Sequence, residues 1–235
     1  MKSIIIIPTY NEKENIINLI ELILSQRLNI IIIIVDDNSP DSTGHEADKL
    51  SEKYSNVKVI HRPKKLGLGT AYIDGFKYAL SLDGNPIFEM DSDFSHNPDE
   101  LCKFLDAIKK EKGDIIVGSR YINGSKISNW DYKRYLMSKI VNILTRIALK
   151  TNIHDCTSGY RCYKAEIFKT IPIDKIKSKG YSFQIEILNM CIRHGYKVHE
   201  IPISFTNRTK GISKMSFNEF IETLNLLSRI YLRNN

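Results

Sequence analysis

Two aspartates separated by one residue stand where a short apolar segment ends. The segment Ile87–Pro98 reads IFEMDSDFSHNP, so Asp91 and Asp93 follow strand-forming residues and precede a polar turn closed by proline. Carboxylates two residues apart at the end of a strand can converge on one divalent cation. Oxygen ligands of this kind suit Mg²⁺ or Mn²⁺, which take their remaining ligands from water and substrate phosphate. A sugar nucleotide or a nucleoside triphosphate is the ligand that this chemistry favours.

The same residues also fit an ordinary turn. Asp, Ser and Asn side chains hydrogen-bond to nearby backbone groups and tolerate turn geometry. For Asp91-Ser92-Asp93 alone the turn is the simpler interpretation. The choice between a turn and a metal site therefore depends on the polar loops that the fold brings alongside.

The order of strands and helices predicts which loops meet. Ser3–Ile7 and Ile30–Val35 are β-branched runs, typical of strands covered on both faces. Each is followed by a polar loop and then by a helical pattern, at Asn15–Leu24 and at His45–Tyr54. This alternation predicts βαβ units and one α/β domain with a mostly parallel, Rossmann-like sheet flanked by helices. Further along, the patterns predict strands at Val57–Ile60, Asp114–Val117 and Lys197–Ile201, and helices at Asp99–Lys110, Asp131–Lys150, from Tyr181 onward and at Ser216–Leu232.

Three polar loops follow predicted strands. They are Pro8–Glu12, the loop that begins at Asp36-Asp37, and the Asp91–Asp93 loop. In open parallel sheets ligands bind at the carboxyl ends of the strands. We therefore expect these three loops to meet at one edge of the sheet, although they are distant in the chain.

A basic segment near the carboxyl end could serve the same site. Asn207–Lys214 reads NRTKGISK, with three cations beside a glycine. Arg208 and Lys214 could move in with this loop and neutralise charge on a leaving diphosphate. Taken alone, the two side chains fit solvated surface charges better than a ligand site.

Composition narrows the classes of ligand. The chain has 235 residues, 42% hydrophobic and 26% charged, with a formal net charge of +7. That charge favours phosphorylated ligands or an anionic membrane surface, and the even spread of basic residues disfavours nucleic acid. The four cysteines form no CxxC pair and the chain has no signal-like start, which predicts a reduced, cytoplasmic protein. Because no apolar run is long enough to span a bilayer, we expect that the chain does not cross a membrane by itself.

Seven short motifs occur in order along the chain. They are Pro8–Glu12, Asp36–Asp41, Leu66–Tyr72, Met90–Pro98, Gly118–Tyr121, Ser158–Arg161 and Arg208–Lys214. Together they resemble the motifs of the family 2 inverting glycosyltransferases. Trp130-Asp131, Lys133-Arg134 and Gly211–Lys214 favour a narrower group, the dolichyl-phosphate mannosyltransferases, also called polyprenol monophosphomannose synthases. The resemblance extends from about Ser3 to Lys214.

The resemblance implies an architecture and a reaction. It implies a GT-A fold over residues 1–215, while residues 216–235 form an amphipathic helix that packs on the domain or faces a membrane or partner. It also implies transfer of mannose from GDP-mannose to a dolichyl or polyprenyl phosphate, with Mg²⁺ or Mn²⁺ as cofactor. Because such acceptors lie in a bilayer, we expect association with the cytoplasmic face of a membrane, unaided or through a small membrane subunit.

The resemblance further implies a role for individual residues. The residues implied at the nucleoside are Pro8, Tyr10, Glu12, Val35 and Asp37, and those at the diphosphate are Asp91, Ser92, Arg120, Arg208 and Lys214. The residues implied at the metal are Asp93 and Ser95. The residues implied at the acceptor phosphate are Arg120 and Arg134. Asp91, Asp93, Arg120 and Arg208 are the implied catalytic set. Three departures are visible: Asn38 and Ser42 replace common glycines, and Ser95 replaces a longer amide, which leaves the metal preference open.

The chemistry of the acceptor bears on the mechanism. A phosphate monoester has a second pKa of about 6 and is largely dianionic at neutral pH, so it can attack an anomeric carbon without a protein base. We therefore expect inversion, no covalent intermediate, and catalysis by electrostatic positioning. The last predicted helix carries an apolar stripe of Phe217, Phe220, Ile221, Leu224, Leu227 and Tyr231. This stripe, or the Asp131–Lys150 helix, could contact the membrane.

Three alternatives stay open on the sequence. The same fold could use UDP-glucose or another donor. The acceptor could be a hydroxyl, in which case a base such as Glu186 would be essential. The chain could also bind nucleotide sugars without catalysis, although the presence together of Asp91, Asp93, Arg208 and Lys214 disfavours this.

Overall fold

A seven-stranded sheet forms the centre of the molecule. The structure is a computed structural model that describes residues 2–178, 180, 182–207 and 217–234. The strands, in chain order, are β1 (Ser3–Thr9), β2 (Ile30–Asp36), β3 (Val57–His61), β4 (Ile87–Glu89), β5 (Ile115–Ser119), β6 (Lys126–Ser128), β7 (Arg161–Tyr163), β8 (Val198–Pro202) and β9 (Ser204–Thr206). The large sheet has the order β3-β2-β1-β4-β7-β5-β8, and β6 pairs with β9 in a separate two-stranded sheet.

The helices cover both faces of the large sheet. They are α1 (Lys13–Ser25), α2 (Thr43–Lys53), α3 (Leu68–Ser81), α4 (Leu101–Lys109), α5 (Tyr132–Leu149), α6 (Glu166–Thr170), α7 (Ser182–Arg193) and α8 (Phe217–Asn234). Short 3-10 turns lie at Pro98–Glu100 and Ile173–Lys175. The predicted single α/β domain with flanking helices is confirmed.

The continuous isoleucine runs are explained by burial on two faces. Alternate side chains of a strand point to opposite faces of the sheet. Ile5 and Ile7 accordingly pack in one cluster with α1, α2 and α4, whereas Ile4 and Ile6 pack in the other with α3, α6 and α7. Each of the four side chains is fully buried. An apolar run without alternation is therefore what a central strand between two helical layers requires.

Strand β7 is the part of the sheet that the sequence patterns do not predict. It lies between β4 and β5 and runs antiparallel to both, while the other neighbouring strands of the large sheet are parallel. The segment has only three residues and starts with an arginine, so neither apolar run length nor alternation marks it. Its strand conformation is set by the hydrogen bonds that β4 and β5 provide on either side.

Helices α5, α7 and α8 share a third apolar cluster. Leu226, Leu227 and Ile230 of α8 are buried in it, together with Val141 of α5 and Leu188 of α7. This buried face differs from the stripe expected from the sequence, because Ile221 and Tyr231 of that stripe stay exposed. The apolar residues of α8 are thus divided between a buried face and an outer face. Among the described helices, none is long and apolar enough to cross a membrane.

Close packing of α3 against β1 can be tested with one methyl group. A Cβ on Gly75 would lie 2.4 Å from Cγ2 of Ile6. Because both elements are held by the core, we expect Gly75→Ala to lower the free energy of unfolding by about 1–3 kcal/mol, measured by urea denaturation. The exposed Lys77→Ala on the same helix should change it by about 1 kcal/mol or less. Equal or greater stability of Gly75→Ala would show that the two elements can separate freely.

Candidate active site

The loops after β1, β2 and β4 meet at one edge of the sheet, as predicted. β1 lies between β2 and β4 and is parallel to both. The backbone links continue past the strands, since the Asp37 N–H donates to the Thr9 carbonyl at 2.9 Å and the Met90 N–H donates to the Ile6 carbonyl at 3.2 Å. The carboxyl ends of three neighbouring strands therefore present their polar loops side by side.

The acidic loop after β4 is a tight turn. Asp93 Oδ1 accepts the backbone N–H of Ser95 at 3.0 Å, and Phe94 between them has a positive φ of 61°. Ser92, Asp93 and Ser95 are buried, whereas about one third of the Asp91 side chain is exposed. The turn interpretation is thus correct for the backbone, and it leaves the Asp91 carboxylate partly exposed.

His96 holds the turn against the rest of the site and was not assigned a role from the sequence. Its Nδ1 accepts the Asp91 N–H at 3.1 Å, and its Nε2 lies 3.8 Å from Asp91 Oδ2. The ring is 1% exposed and stacks on Tyr160 with 4.8 Å between centroids. Burial lowers the pKa of His96, and Asp91 opposes this shift. A neutral imidazole that accepts at Nδ1 fits these contacts.

The segment before β7 lies against Asp91. A Cβ on Gly159 would come within 3.3 Å of Asp91 Oδ1, so the absence of a side chain leaves room beside the carboxylate. Tyr160 donates through its hydroxyl to the Asn97 carbonyl at 3.2 Å. The antiparallel direction of β7 brings its amino end to the edge where the parallel strands end. This is why Gly159, distant in sequence from Asp91, lies beside it.

The donors around the turn suit a hard divalent cation. Asp91 and Asp93 supply carboxylates and Ser95 supplies a hydroxyl, all of them oxygen ligands. Within the described ranges, no group of three or more His, Cys, Asp or Glu side chains is placed to hold a metal. A cation bound here would take most of its coordination from water and substrate phosphate, as Mg²⁺ and Mn²⁺ sites with few protein ligands do. The residues therefore fit the predicted metal, and metal binding stays a prediction.

The residues predicted at the nucleoside lie at the carboxyl ends of β1 and β2 or just beyond them. Pro8 and Val35 are buried register partners in adjacent strands. Glu12 accepts from the Asn15 side chain at 2.7 Å, and the Lys65 ammonium lies 3.8 Å from the centroid of the Tyr10 ring. The structure thus places these four predicted residues at one end of two neighbouring strands, with Lys65 on Tyr10 as an additional cation that the sequence did not indicate.

Asp37 supports the loop that faces it. Its carboxylate accepts from Arg62 Nη1 at 2.8 Å, from the Leu66 N–H at 2.9 Å and from the Gly67 N–H at 2.8 Å. Both oxygens are therefore engaged with the segment that leads into α3. A structural role for Asp37 is visible in these contacts, and its role at the nucleoside stays a prediction.

Arg120 is held by a buried ion pair with Asp155. Nε and Nη2 of Arg120 donate to the two carboxylate oxygens at 2.7 and 2.8 Å, and Nη2 also donates to the Thr157 hydroxyl at 2.8 Å. Burial alone would raise the pKa of Asp155, but the adjacent Arg120 holds that pKa below its ordinary value. Burial alone would lower the pKa of Arg120, but the negative charge of Asp155 outweighs burial and raises that pKa. The cation is therefore fixed in position, and Nη1 is not engaged by Asp155 or Thr157.

Trp130 brings the two predicted acceptor arginines together. The guanidinium carbon of Arg120 lies 5.2 Å from the centroid of the Trp130 ring and that of Arg134 lies 4.7 Å from it. Phe205 packs edge-on against Trp130 at 5.3 Å and against His96 at 5.8 Å. The aromatic rings thus connect the two cations to the acidic turn.

Two predicted site residues, Arg208 and Lys214, lie outside the described residues. The residue before them, Asn207, accepts from Arg134 Nη1, and its N–H donates to the Ser128 carbonyl at 3.0 Å. The small β6–β9 sheet therefore delivers the start of the basic segment next to Arg134. The roles of Arg208 and Lys214 stay predictions.

A buried pair below the turn was missed from the sequence. Glu89 and Arg161 are register partners in β4 and β7, and both are fully buried. Burial raises the pKa of Glu89 to about 7, and Arg161 opposes this shift. Arg161 donates to the carbonyls of Ser158, Gln184 and Cys156. The charged residue inside an apolar strand, two positions before Asp91, was the available signal.

Loss of the Asp155 charge should leave Arg120 buried and unpaired. We expect Asp155→Asn to lower the free energy of unfolding by about 3–5 kcal/mol at neutral pH. Because the native pKa of Asp155 lies below the ordinary value of 3.8, the stabilisation is present above that pH and is lost as the pH falls through the native pKa. The variant should therefore lose less stability on acidification than the wild type.

Denaturation curves at several pH values test this expectation. The control is Asp48→Asn, whose carboxylate pairs with His61 at the surface and should change stability by about 0.5 kcal/mol or less. If Asp155→Asn behaved like this control, the pair would not hold Arg120.

Comparison with known proteins gives the same fold and family. The model of the glycosyl transferase family 2 matches residues 4–171. Among solved structures, glucosyl-3-phosphoglycerate synthase from Mycobacterium tuberculosis, in complex with Mn²⁺, uridine diphosphate and glucosyl-3-phosphoglycerate, superposes with a TM-score of 0.67. The superposition covers 99% of this chain and 79% of that chain at 17% sequence identity, so the likeness concerns the fold alone. It confirms the predicted GT-A-like architecture.

Two relatives align over nearly the whole chain. Polyprenol monophosphomannose synthase of Mycolicibacterium smegmatis is 41% identical over 224 residues, which are 95% of this chain and 84% of that protein. Undecaprenyl-phosphate mannosyltransferase of Micrococcus luteus is 40% identical over 220 residues, 92% of this chain and 88% of that protein. With the family model matching well over half of its length, the chain belongs to glycosyl transferase family 2 and is a glycosyltransferase.

Proposed function

We propose that this enzyme transfers mannose from GDP-mannose to a polyprenyl or dolichyl phosphate, with inversion and with Mg²⁺ or Mn²⁺ as cofactor. The observation that carries the proposal is the position of two arginines, Arg120 and Arg134, on one tryptophan next to the acidic turn. Such cations would hold the acceptor phosphate, and the acidic turn would hold the metal ion that binds the sugar diphosphate. The names of both mannosyltransferase relatives support this acceptor class and sugar. The guanosine of the donor rests on the sequence resemblance alone.

The proposed reaction needs positioning more than proton transfer. The acceptor phosphate is already largely dianionic, and Arg120 and Arg134 would hold it in line with the anomeric carbon. Asp155 keeps the Arg120 guanidinium in one orientation, so little reorganisation is needed during the reaction. The bond from phosphate oxygen to the anomeric carbon forms as the bond to the leaving diphosphate breaks, which inverts the configuration at that carbon.

The diphosphate is the second group that must be held. Asp93 and Ser95 would hold the cation, and Asp91 would face the donor. A bound divalent cation supplies charge neutralisation at the diphosphate. Arg208 and Lys214, which lie outside the described residues, keep their proposed role at the same leaving group.

The contacts of Glu186 bear on one alternative, a hydroxyl acceptor. That reaction needs a general base, for which Glu186 was the candidate. Its carboxylate instead accepts the N–H groups of Lys177 and Ser178, at 3.2 and 2.9 Å. Glu186 also lines a groove between α7 and α8. A different donor, such as UDP-glucose, remains the second candidate on the fold alone.

We also propose that the enzyme binds membranes through α5. Leu136, Ile140, Ile143 and Ile147 recur at helical spacing on this helix and are all exposed. Exposed apolar stripes of this length mark surfaces that meet a membrane or a partner. The stripe supports contact with the bilayer in which a polyprenyl phosphate lies.

Transfer activity tests the site. The purified chain is incubated in detergent with polyprenyl phosphate, divalent cation and a panel of labelled GDP- and UDP-sugars, and the organic-soluble product is counted. We expect product with GDP-mannose, and a loss of about 100-fold or more in Asp93→Ala because charge at the leaving group is no longer compensated.

The matched control is Asp106→Ala, an exposed aspartate of α4 that should retain full activity. Transfer by Asp93→Ala near the wild-type rate would show that the metal assignment is wrong. Product only with a UDP-sugar would replace the proposed donor.

Vesicle sedimentation tests the α5 stripe. We expect Ile143→Asn with Ile147→Asn to weaken binding to vesicles that contain anionic lipid and polyprenyl phosphate by about 10-fold or more, because two apolar side chains no longer enter the bilayer. Ile17→Asn with Leu22→Asn on α1 replaces two exposed apolar residues elsewhere and should bind as the wild type does. Failure of the wild type to bind these vesicles would contradict unaided membrane association.

A further inference from the structure

A basic groove runs between α7 and α8. Its volume is about 960 Å³ and it reaches from the amino end of α7, at Ser182, to Arg193 at the carboxyl end. The lysines and arginines that line it are Lys175, Lys177, Arg193, Arg229 and Arg233. The acidic ones are Glu186 and Glu222, so five cations face two anions and the formal charge of the lining is +3.

The cations of the groove are not neutralised by the described side chains. Among these side chains, none within 4.0 Å forms an ion pair with any of the five lysines and arginines. Glu186 is bound to the backbone N–H groups of Lys177 and Ser178. A concave surface with uncompensated positive charge has the electrostatic character of an anion-binding site.

The opposite flank of α8 is apolar. There a second groove, of about 410 Å³, lies between α8 and α5 and is lined by Leu144 and Ile147 of α5 and by Leu224, Tyr231 and Leu232 of α8. Positions 222, 225, 229 and 233 share one flank of the helix, and positions 224, 227 and 231 share the other, because side chains recur every 3 to 4 residues. A flat surface that rests on α8 therefore touches basic residues on one side and apolar residues on the other.

We infer that the α7–α8 groove binds the phosphate group of an anionic phospholipid while α5 and the outer face of α8 contact the acyl region. Charge complementarity selects an anion, and the adjacent apolar surface selects one that carries acyl chains. A free phosphate ion would satisfy the groove but gain nothing from the α5–α8 flank. The inference rests on the proposed membrane association and adds to it a headgroup site and an orientation of the catalytic domain.

Vesicle binding of a groove variant tests the inference. The variant is Arg229→Gln with Arg233→Gln, and the control is Lys109→Gln with Lys110→Gln, which removes the same charge from exposed positions at the end of α4 on the other face of the sheet. The probes are vesicles of phosphatidylcholine alone and of phosphatidylcholine with phosphatidylglycerol. We expect the groove variant to bind the anionic vesicles about 30-fold more weakly than the wild type, from about 1 kcal/mol for each cation at the surface. The control should lose less than about threefold.

The other outcomes would overturn the inference. Equal losses in both variants would mean that net charge alone attracts the protein. Displacement of the wild type from anionic vesicles by inorganic phosphate, at an ionic strength matched with chloride, would assign the groove to free phosphate. Transfer in detergent by the groove variant is measured in parallel and should equal that of the wild type, so a failure of lipid binding is distinguished from a failure of the proposed reaction.

Discussion

Strand β4 depends on hydrogen bonds from both of its neighbours. It has only three residues, and it pairs with β1 in parallel and with β7 in antiparallel orientation. A strand so short gains little from its own propensity, so its position is set by these two neighbours. The position of β4 fixes the position of the acidic turn, because Asp91 and Asp93 follow closely on the end of the strand. The buried Glu89 and Arg161 sit at the same β4–β7 junction.

The reversed direction of β7 is the second consequence. The parallel strands end at the site, whereas β7 begins there. The segment before β7 therefore reaches the site and contributes Asp155 and Gly159, the first holding Arg120 and the second leaving space beside Asp91. In a sheet of parallel strands only, these residues would lie at the opposite edge. One antiparallel strand thus adds a group of side chains to the usual binding edge of an α/β sheet.

Helices α5 and α8 extend the site toward a surface. Each buries one face in the cluster shared with α7 and leaves large apolar side chains on the other. The amino end of α5 is capped by Asp131, whose side chain accepts the Arg134 N–H at 2.8 Å. The helix that carries the exposed stripe therefore also carries an arginine of the candidate acceptor site. The proposed membrane contact and the proposed acceptor site therefore share this one helix.

The sequence by itself determined the parallel core, the family and the three polar loops. Long β-branched runs, helical spacing and motif order are local properties, and they survive into the structure because two helical layers bury both faces of β1 and β2. Only the tertiary structure decided the rest of the site. Strand β7 and the Arg120–Asp155 pair join residues far apart in the chain. Both arginines meet on Trp130 through the segment between β5 and α5. No local pattern encodes such pairings, since their energy comes from contacts that exist only after the sheet has formed.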